Sequence, residues 1–188
     1  MAHLFWQDEG GLSKKECEHI LKEYENVGLE AGITDNKASI SVKQRQADIH
    51  WVKNNNLLTR SLFQYALDAN DLKFRYTLFN YEKSGEYDQI QFTRYNEGCF
   101  YDWHVDFYEI SKNGSNRKLS LIVNLSDPKD YDGGDLEFFE GEEPPFSPAK
   151  RKQGSIVVFD SFDWHRVTPV TRGTRYSLVL WVWGPELK

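Results

Sequence analysis

Apolar positions along the chain fall into two regimes. Cys17, Ile20, Leu21 and Tyr24 recur at helical spacing, behind a Ser13-Lys14-Lys15-Glu16 stretch that reads as a capping box. Leu58, Leu62, Tyr65 and Ala66 make a second stripe within a predicted helix from about Leu57 to Ala69. Each stripe must bury against something, and the simplest partner is the outside of a sheet.

From about Phe74 the period shortens. Phe74–Phe79, Gln89–Tyr95, Leu119–Leu125, Leu136–Phe139, Ser155–Phe159 and Tyr176–Trp183 are rich in β-branched and aromatic residues and are predicted strands. Asn113-Gly114, Gly133-Gly134 and Gly173 supply turns between them. Many short strands with turns imply a sandwich or barrel. The expected fold is therefore mainly β with supporting helices, a jelly roll. One domain over residues 1–188 is expected, with helical support over about 1–70 and the jelly-roll core over about 74–184.

Composition narrows the function classes. The 188 residues suffice for one substantial core, and the formal net charge of −6 speaks against a nucleic-acid partner. Two cysteines, Cys17 and Cys99, are too few for a disulfide framework or a cysteine zinc cluster. The stretch from Met1 to Leu12 has no basic region, long apolar run or cleavage signal, so no secretory peptide is predicted. No run approaches the ~18 apolar residues of a membrane span. No membrane partner and a cytoplasmic location are the resulting expectations.

Histidine is scarce, with five in all. His104-Val105-Asp106 is predicted to sit in a strand, where residues two apart share a face, and His165 follows just beyond the apolar strand ending at Phe159. Two histidines and a carboxylate with open positions form the facial triad of non-haem iron(II) sites. By itself an H-x-D triplet is more often an ordinary surface or core feature. The second cluster changes that: Arg175 follows His165 by ten residues and alternates with Ser177. A guanidinium buried in a barrel needs a planar anion, and a dicarboxylate supplies one.

The stretch Thr93-Arg94-Tyr95-Asn96-Glu97-Gly98-Cys99-Phe100-Tyr101-Asp102-Trp103-His104-Val105-Asp106 resembles the R-Y-x-x-G-x-x-Y-x-x-H-x-D signature of the prolyl 4-hydroxylase-like iron(II)/2-oxoglutarate-dependent dioxygenases. Arg117-Lys118-Leu119-Ser120, Tyr131–Leu136, Gly154–Phe159 and His165–Ser177 resemble the family's following segments, in order. The resemblance covers roughly Gln91 to Trp183. It implies a double-stranded β-helix, iron(II), 2-oxoglutarate, dioxygen and ascorbate binding. Residue by residue it makes His104, Asp106 and His165 the metal ligands and catalytic centre. Arg175, Tyr95, Ser177 and Asn124 become the 2-oxoglutarate residues, and Tyr101 and Trp181 the substrate-binding residues. Asn124 departs from the tyrosine that oxygen-sensing relatives often carry there. Arg175 sides with the relatives that use arginine rather than lysine.

The implied activity is hydroxylation of a peptidyl residue, proline foremost, with release of succinate and CO2, so a protein or peptide substrate is expected. The alternatives are a small-molecule hydroxylase of the same superfamily and a non-catalytic jelly-roll binding module. A nucleic-acid dealkylase is disfavoured, because its second arginine is replaced by Trp181. Substrate contacts are expected from Gly32–His50, Glu82–Asp88 and Ser111–Asn116, and Trp103 and Trp164 flank the site in sequence.

Overall fold

The computed structural model describes residues 5–28, 30–31, 34–35, 43–52, 57–80, 90–107, 114–139, 141 and 151–186. In chain order these form β1 (Phe5–Asp8), α1 (Lys14–Tyr24), β2 (Glu30–Ala31), β3 (Thr34–Asp35), β4 (Lys43–Gln46), β5 (Asp48–Val52) and α2 (Leu57–Ala69). There follow β6 (Ile90–Tyr95), β7 (Phe100–His104), β8 (Ser115–Asn124), β9 (Tyr131–Gly133), β10 (Leu136–Phe138), β11 (Ile156–Asp160), β12 (His165–Val167), β13 (Val170–Gly173) and β14 (Arg175–Pro185). No described helix is long and apolar enough to cross a membrane.

Seven strands pair antiparallel in the order β1-β11-β8-β14-β6-β5-β2, and five in the order β10-β12-β7-β4-β3. The two sheets face each other as a jelly roll. Strand alternation then sorts the side chains of the larger sheet. Leu178, Leu180 and Val182 of β14, with Leu119, Leu121 and Val123 of β8, join the core shared with Ile20, Leu62 and Ala66 of the helices. Val179 and Trp181 of β14 turn the other way, into the core between the sheets with Phe138, Phe159 and Val167. The helices thus pack on one sheet, as their stripes predict. Burying a leucine in such a face contributes about 1.5–3 kcal/mol.

The capping box at α1 forms as read: the Ser13 hydroxyl accepts from Glu16 N (3.3 Å) and the Glu16 carboxylate accepts from Ser13 N (2.7 Å). Three other readings need correction. Phe74–Phe79 is not a strand. A wide helical turn runs over Asn70–Phe74 and ends on Arg75 at φ 64°, and residues 75–80 are irregular. There the Asn70 amide donates to Tyr76 O (3.0 Å) and accepts from Tyr76 N (2.8 Å), taking the place of a neighbouring strand. The first third is not purely helical, since β1 to β5 lie within it. Finally, β7 ends at His104, so Asp106 lies beyond the strand.

Candidate metal centre and adjoining cavity

β7 and β12 pair antiparallel with His104 directly opposite His165. That register, rather than a shared strand face with Asp106, brings the two imidazoles together, their ring centres 4.1 Å apart. After β7 the chain turns inward, and the Asp106 carboxylate meets both rings. His104 Nε2 lies 3.6 Å from one Asp106 oxygen and His165 Nε2 lies 3.6 Å from the other. Ser120 on β8 holds that carboxylate by donating to Oδ2 (2.8 Å), and the Ser120 hydroxyl also meets the Ser161 hydroxyl at 3.0 Å.

Each histidine is oriented by the same local device. His104 Nδ1–H donates to the Asp102 carbonyl (2.7 Å), and His165 Nδ1–H to the Asp163 carbonyl (2.9 Å). This leaves both Nε2 lone pairs aimed inward. Burial pushes the His104 imidazole below its ordinary value, and the neighbouring His165 adds to this. For Asp106, burial works to raise the carboxyl, but His165 and His104 outweigh it and hold it below the ordinary range. A neutral imidazole and an ionised carboxylate are the forms a metal requires. One ligand atom from each of the three residues lies within 4.8 Å of the others, so the set fits a single divalent ion. Its two nitrogens and one oxygen suit non-haem iron(II).

The three residues open onto a cavity of about 210 Å³. Tyr95, Tyr101 and Trp181 line it. Tyr101 stacks on His104 with ring centres 3.5 Å apart, and burial, then Asp106, pushes its phenol up to about 12. It is therefore a neutral hydrogen-bonding group at pH 7. Trp103 and Trp164 do not line this cavity. Trp164 is 52% exposed, and Trp103 meets Phe139 and the Arg166 guanidinium. Of the expected substrate loops, Glu82–Asp88 lies outside the described residues. So do most of Gly32–His50 before Lys43 and Ser111–Asn113. The described part from Lys43 to His50 forms β4 and most of β5 rather than a loop.

Arg175 opens β14 opposite Tyr95 on β6. It is 3% exposed, and its guanidinium lies 5.5 Å from the Tyr95 ring centre. Its Nη1 donates to the buried Ser177 hydroxyl at 3.4 Å, and no carboxylate pairs with it among the described residues. A buried arginine without an anion is costly, so the surroundings suit an acidic ligand. Arg175 and Asn124 border a small recess that shares Ile122 with the metal cavity. A β-carbon on Gly134, at φ +63°, would come within 2.9 Å of Arg175 Cδ, so glycine is what lets the arginine pass. Asn124 is otherwise engaged: its amide donates to Ser126 O (2.9 Å) and Arg151 O (2.7 Å) and accepts from the Tyr131 hydroxyl (3.3 Å).

Sequence reasoning did not single out Ser120, Ser161, Arg45 or Gln91, although Arg45 lies within the Gly32–His50 segment expected to contact substrate. Ser120 and Ser161 carry no pattern of their own. Arg45 and Gln91 line the cavity, and Arg45 is 7% exposed. The available signal for Arg45 is the alternation of Arg45, Ala47, Ile49 and Trp51, a period of two to which no predicted strand corresponds.

Residues 90–183, half of the chain, match the family described as the 2OG-Fe(II) oxygenase superfamily. A PKHD-type hydroxylase from Acidovorax ebreus (strain TPSY) is 39% identical over 98 residues, covering 49% of this chain and 41% of the relative. The chain therefore spans less than half the length of that relative. A viral collagen prolyl hydroxylase from Paramecium Bursaria Chlorella virus-1 superposes with a TM-score of 0.72 at 18% identity, covering 97% of each chain. A prolyl hydroxylase from Trichoplax adhaerens, solved with a hypoxia inducible factor oxygen degradation domain peptide fragment, gives a TM-score of 0.64 at 18% identity. That match covers 95% of this chain and 83% of the other. At these identities the two structures speak to the fold, which is the same jelly roll.

Proposed function

Because the chain belongs to the 2OG-Fe(II) oxygenase superfamily, we propose that it is an iron(II)- and 2-oxoglutarate-dependent dioxygenase that hydroxylates a peptidyl residue, proline foremost, with release of succinate and CO2. The observation that carries this reading is the convergence of His104, Asp106 and His165 within 4.8 Å, with the buried Arg175, unpaired to any carboxylate among the described residues, in the recess that adjoins their cavity. A single oxygenase domain of residues 1–188 belongs to the same reading, supported by the core that the helices share with the seven-stranded sheet.

In this reading His104 Nε2, His165 Nε2 and an Asp106 oxygen hold iron(II). The bound metal and 2-oxoglutarate together supply dioxygen activation coupled to oxidative decarboxylation. The protein's own residues bind and orient. Arg175 takes the distal carboxylate of 2-oxoglutarate, with Ser177 beside it and Tyr95 beneath the guanidinium. Asn124 contributes from the recess, by way of the hydrogen bonds that fix Tyr131 and Arg151. Tyr101 and Trp181 line the approach of the substrate. Ile122, Val167 and Val179 keep the cavity wall apolar and limit water.

The peptide assignment draws support from the relatives, one of which is a PKHD-type hydroxylase and another a prolyl hydroxylase solved with a peptide fragment. A small-molecule substrate is the second reading, favoured by a cavity of about 210 Å³, below the ~300 Å³ at which ligand pockets usually begin. The test is incubation of the iron-loaded protein with 2-oxoglutarate, dioxygen and a proline-containing peptide library. Succinate is measured, and each peptide is weighed for one added oxygen atom. The expected result is succinate release with oxygen added at proline, both abolished in Asp106→Ala. Oxygen addition only to free amino acids would install the second reading. No succinate with any partner would refute both.

A further inference from the structure

The cavity holds a second buried guanidinium whose bonding is incomplete. Arg45 on β4 sits opposite Tyr101 on β7. Its Nη1 donates to the Gln91 side-chain carbonyl at 3.4 Å. Gln91 is fixed in turn, because its Nε2 donates to the Thr93 hydroxyl (2.9 Å). Arg45 Nε and Nη2, by contrast, are buried and have no hydrogen-bond partner among the described residues. These two atoms lie on one edge of the planar group, the edge that matches the two oxygens of a carboxylate. Leaving both donors unsatisfied in a buried site is costly, and more so for a charged group. Among the described residues lining the cavity, Asp106 is the one acid, and it belongs to the metal site.

The position of this edge relative to His104 is given by two contacts of Tyr101. The Arg45 guanidinium lies 4.9 Å from the Tyr101 ring centre, and that ring lies 3.5 Å from the His104 ring centre. Tyr101 thus links the Arg45 guanidinium to the His104 imidazole. The span from the fork to the His104 ring is on the order of the reach of one or two residues of an extended chain, at ~3.3–3.6 Å each. The Arg117 guanidinium stands over Trp181 at 3.9 Å and keeps the same cavity cationic, in a chain whose formal net charge is −6.

We propose that the Nε–Nη2 edge of Arg45 is a carboxylate-recognition subsite, so that the substrate carries a carboxylate within one or two residues of the atom to be oxidised. The inference rests on the oxygenase reading above and deepens it. The carboxylate comes either from an acidic side chain flanking the target residue or from a terminal main-chain carboxylate. Gln91 acts as a positioning residue, holding the opposite edge of the guanidinium so that the fork faces the cavity.

The test uses the manganese(II)- and 2-oxoglutarate-loaded protein under anaerobic conditions. Blocked peptides are titrated in pairs: acetyl-Asp-Pro-amide and acetyl-Pro-Asp-amide against their Asn counterparts, and acetyl-Ala-Pro with a free terminus against its amide. Binding is read by calorimetry. At least one acid member should bind about tenfold to a hundredfold more tightly than its neutral twin. Which pair shows the gap identifies the source of the carboxylate. The gap should vanish in Arg45→Gln and shrink in Arg45→Lys, which keeps the charge and loses the fork. Metal and 2-oxoglutarate binding by each variant checks that it is folded. Equal binding of acid and neutral twins, an intact gap in Arg45→Gln, or no binding by any member overturns the proposal. Peptide-independent release of succinate by the aerobic iron-loaded wild type judges the oxygenase reading separately.

Discussion

The two faces of the seven-stranded sheet are built from the same strands and do opposite work. Toward the helices, β14 presents Leu178, Leu180 and Val182, and β8 presents Leu119, Leu121 and Val123, all essentially without exposure. Toward the smaller sheet the same two strands present Arg175, Ser177 and Trp181, and Ser120 and Asn124. Polar groups on the inner face are buried as deeply as the leucines behind them. The lesson is one of division. The apolar face supplies the free energy that lets the inner face hold polar groups at fixed positions.

That contrast predicts separable defects. Leu180→Ala leaves a cavity between sheet and helix, and should lower unfolding free energy by about 2–5 kcal/mol. Affinity for 2-oxoglutarate in the surviving folded protein should stay the same, as checked by denaturant titration alongside calorimetry. A large loss of co-substrate affinity in this variant would break the division. Arg175→Ala should do the reverse. Losing a charged hydrogen-bonded contact of about 1.5–3 kcal/mol should weaken 2-oxoglutarate binding by about tenfold to 150-fold, with Arg175→Lys in between. Metal binding should persist. Anaerobic titration of the metal-loaded variants decides it, and equal affinities would make Arg175 an ordinary strand residue.

A smaller effect tests the support behind the metal ligands. Ser120→Ala frees Asp106 to rotate, and should weaken metal affinity by about tenfold, as measured by competition with a chelator of known affinity. Smallest is a pH effect at Asp163. Burial, and then Asp160, pushes its carboxyl up to about 6, above the ordinary 3.8. Folding therefore favours the protonated form. Its contribution is complete below the ordinary value, and is lost as pH rises through about 6. Melting temperatures recorded from pH 4 to 7 should fall more steeply in the wild type than in Asp163→Asn. Parallel curves would refute the shift.

The site was legible where its chemistry used rare residues. Two of five histidines and an aspartate could be picked out because iron chemistry needs that donor set, and Arg175 because a buried guanidinium needs an anion. Reasons of geometry were less legible. His104 and Asp106 were expected to converge through strand alternation, yet they converge through a turn after β7 and a serine from β8. Arg45 was hidden because its place follows from the pairing of β4 with β7, between residues far apart in sequence. Strands as short as β9, β12 and β13, at three or four residues, carry too little alternation to stand out. Phe74–Phe79 has the composition of a strand, but the side-chain hydrogen bonds of Asn70 and the left-handed Arg75 override it.

The direct pairing of His104 with His165 also makes the metal a proofreader of folding. A slip of β12 by one residue would set Arg166 opposite His104 and turn His165 to the other side of the sheet. A chain misregistered in this way could bind no ion in the triad, whereas the correct register gains the whole binding free energy. Because each imidazole is already aimed by the residue two before it, through the Asp102 and Asp163 carbonyls, the ion has only the pairing left to select. Refolding with iron(II) or manganese(II) present should therefore give a higher yield of native protein than refolding in chelator, and the advantage should disappear in Asp106→Ala.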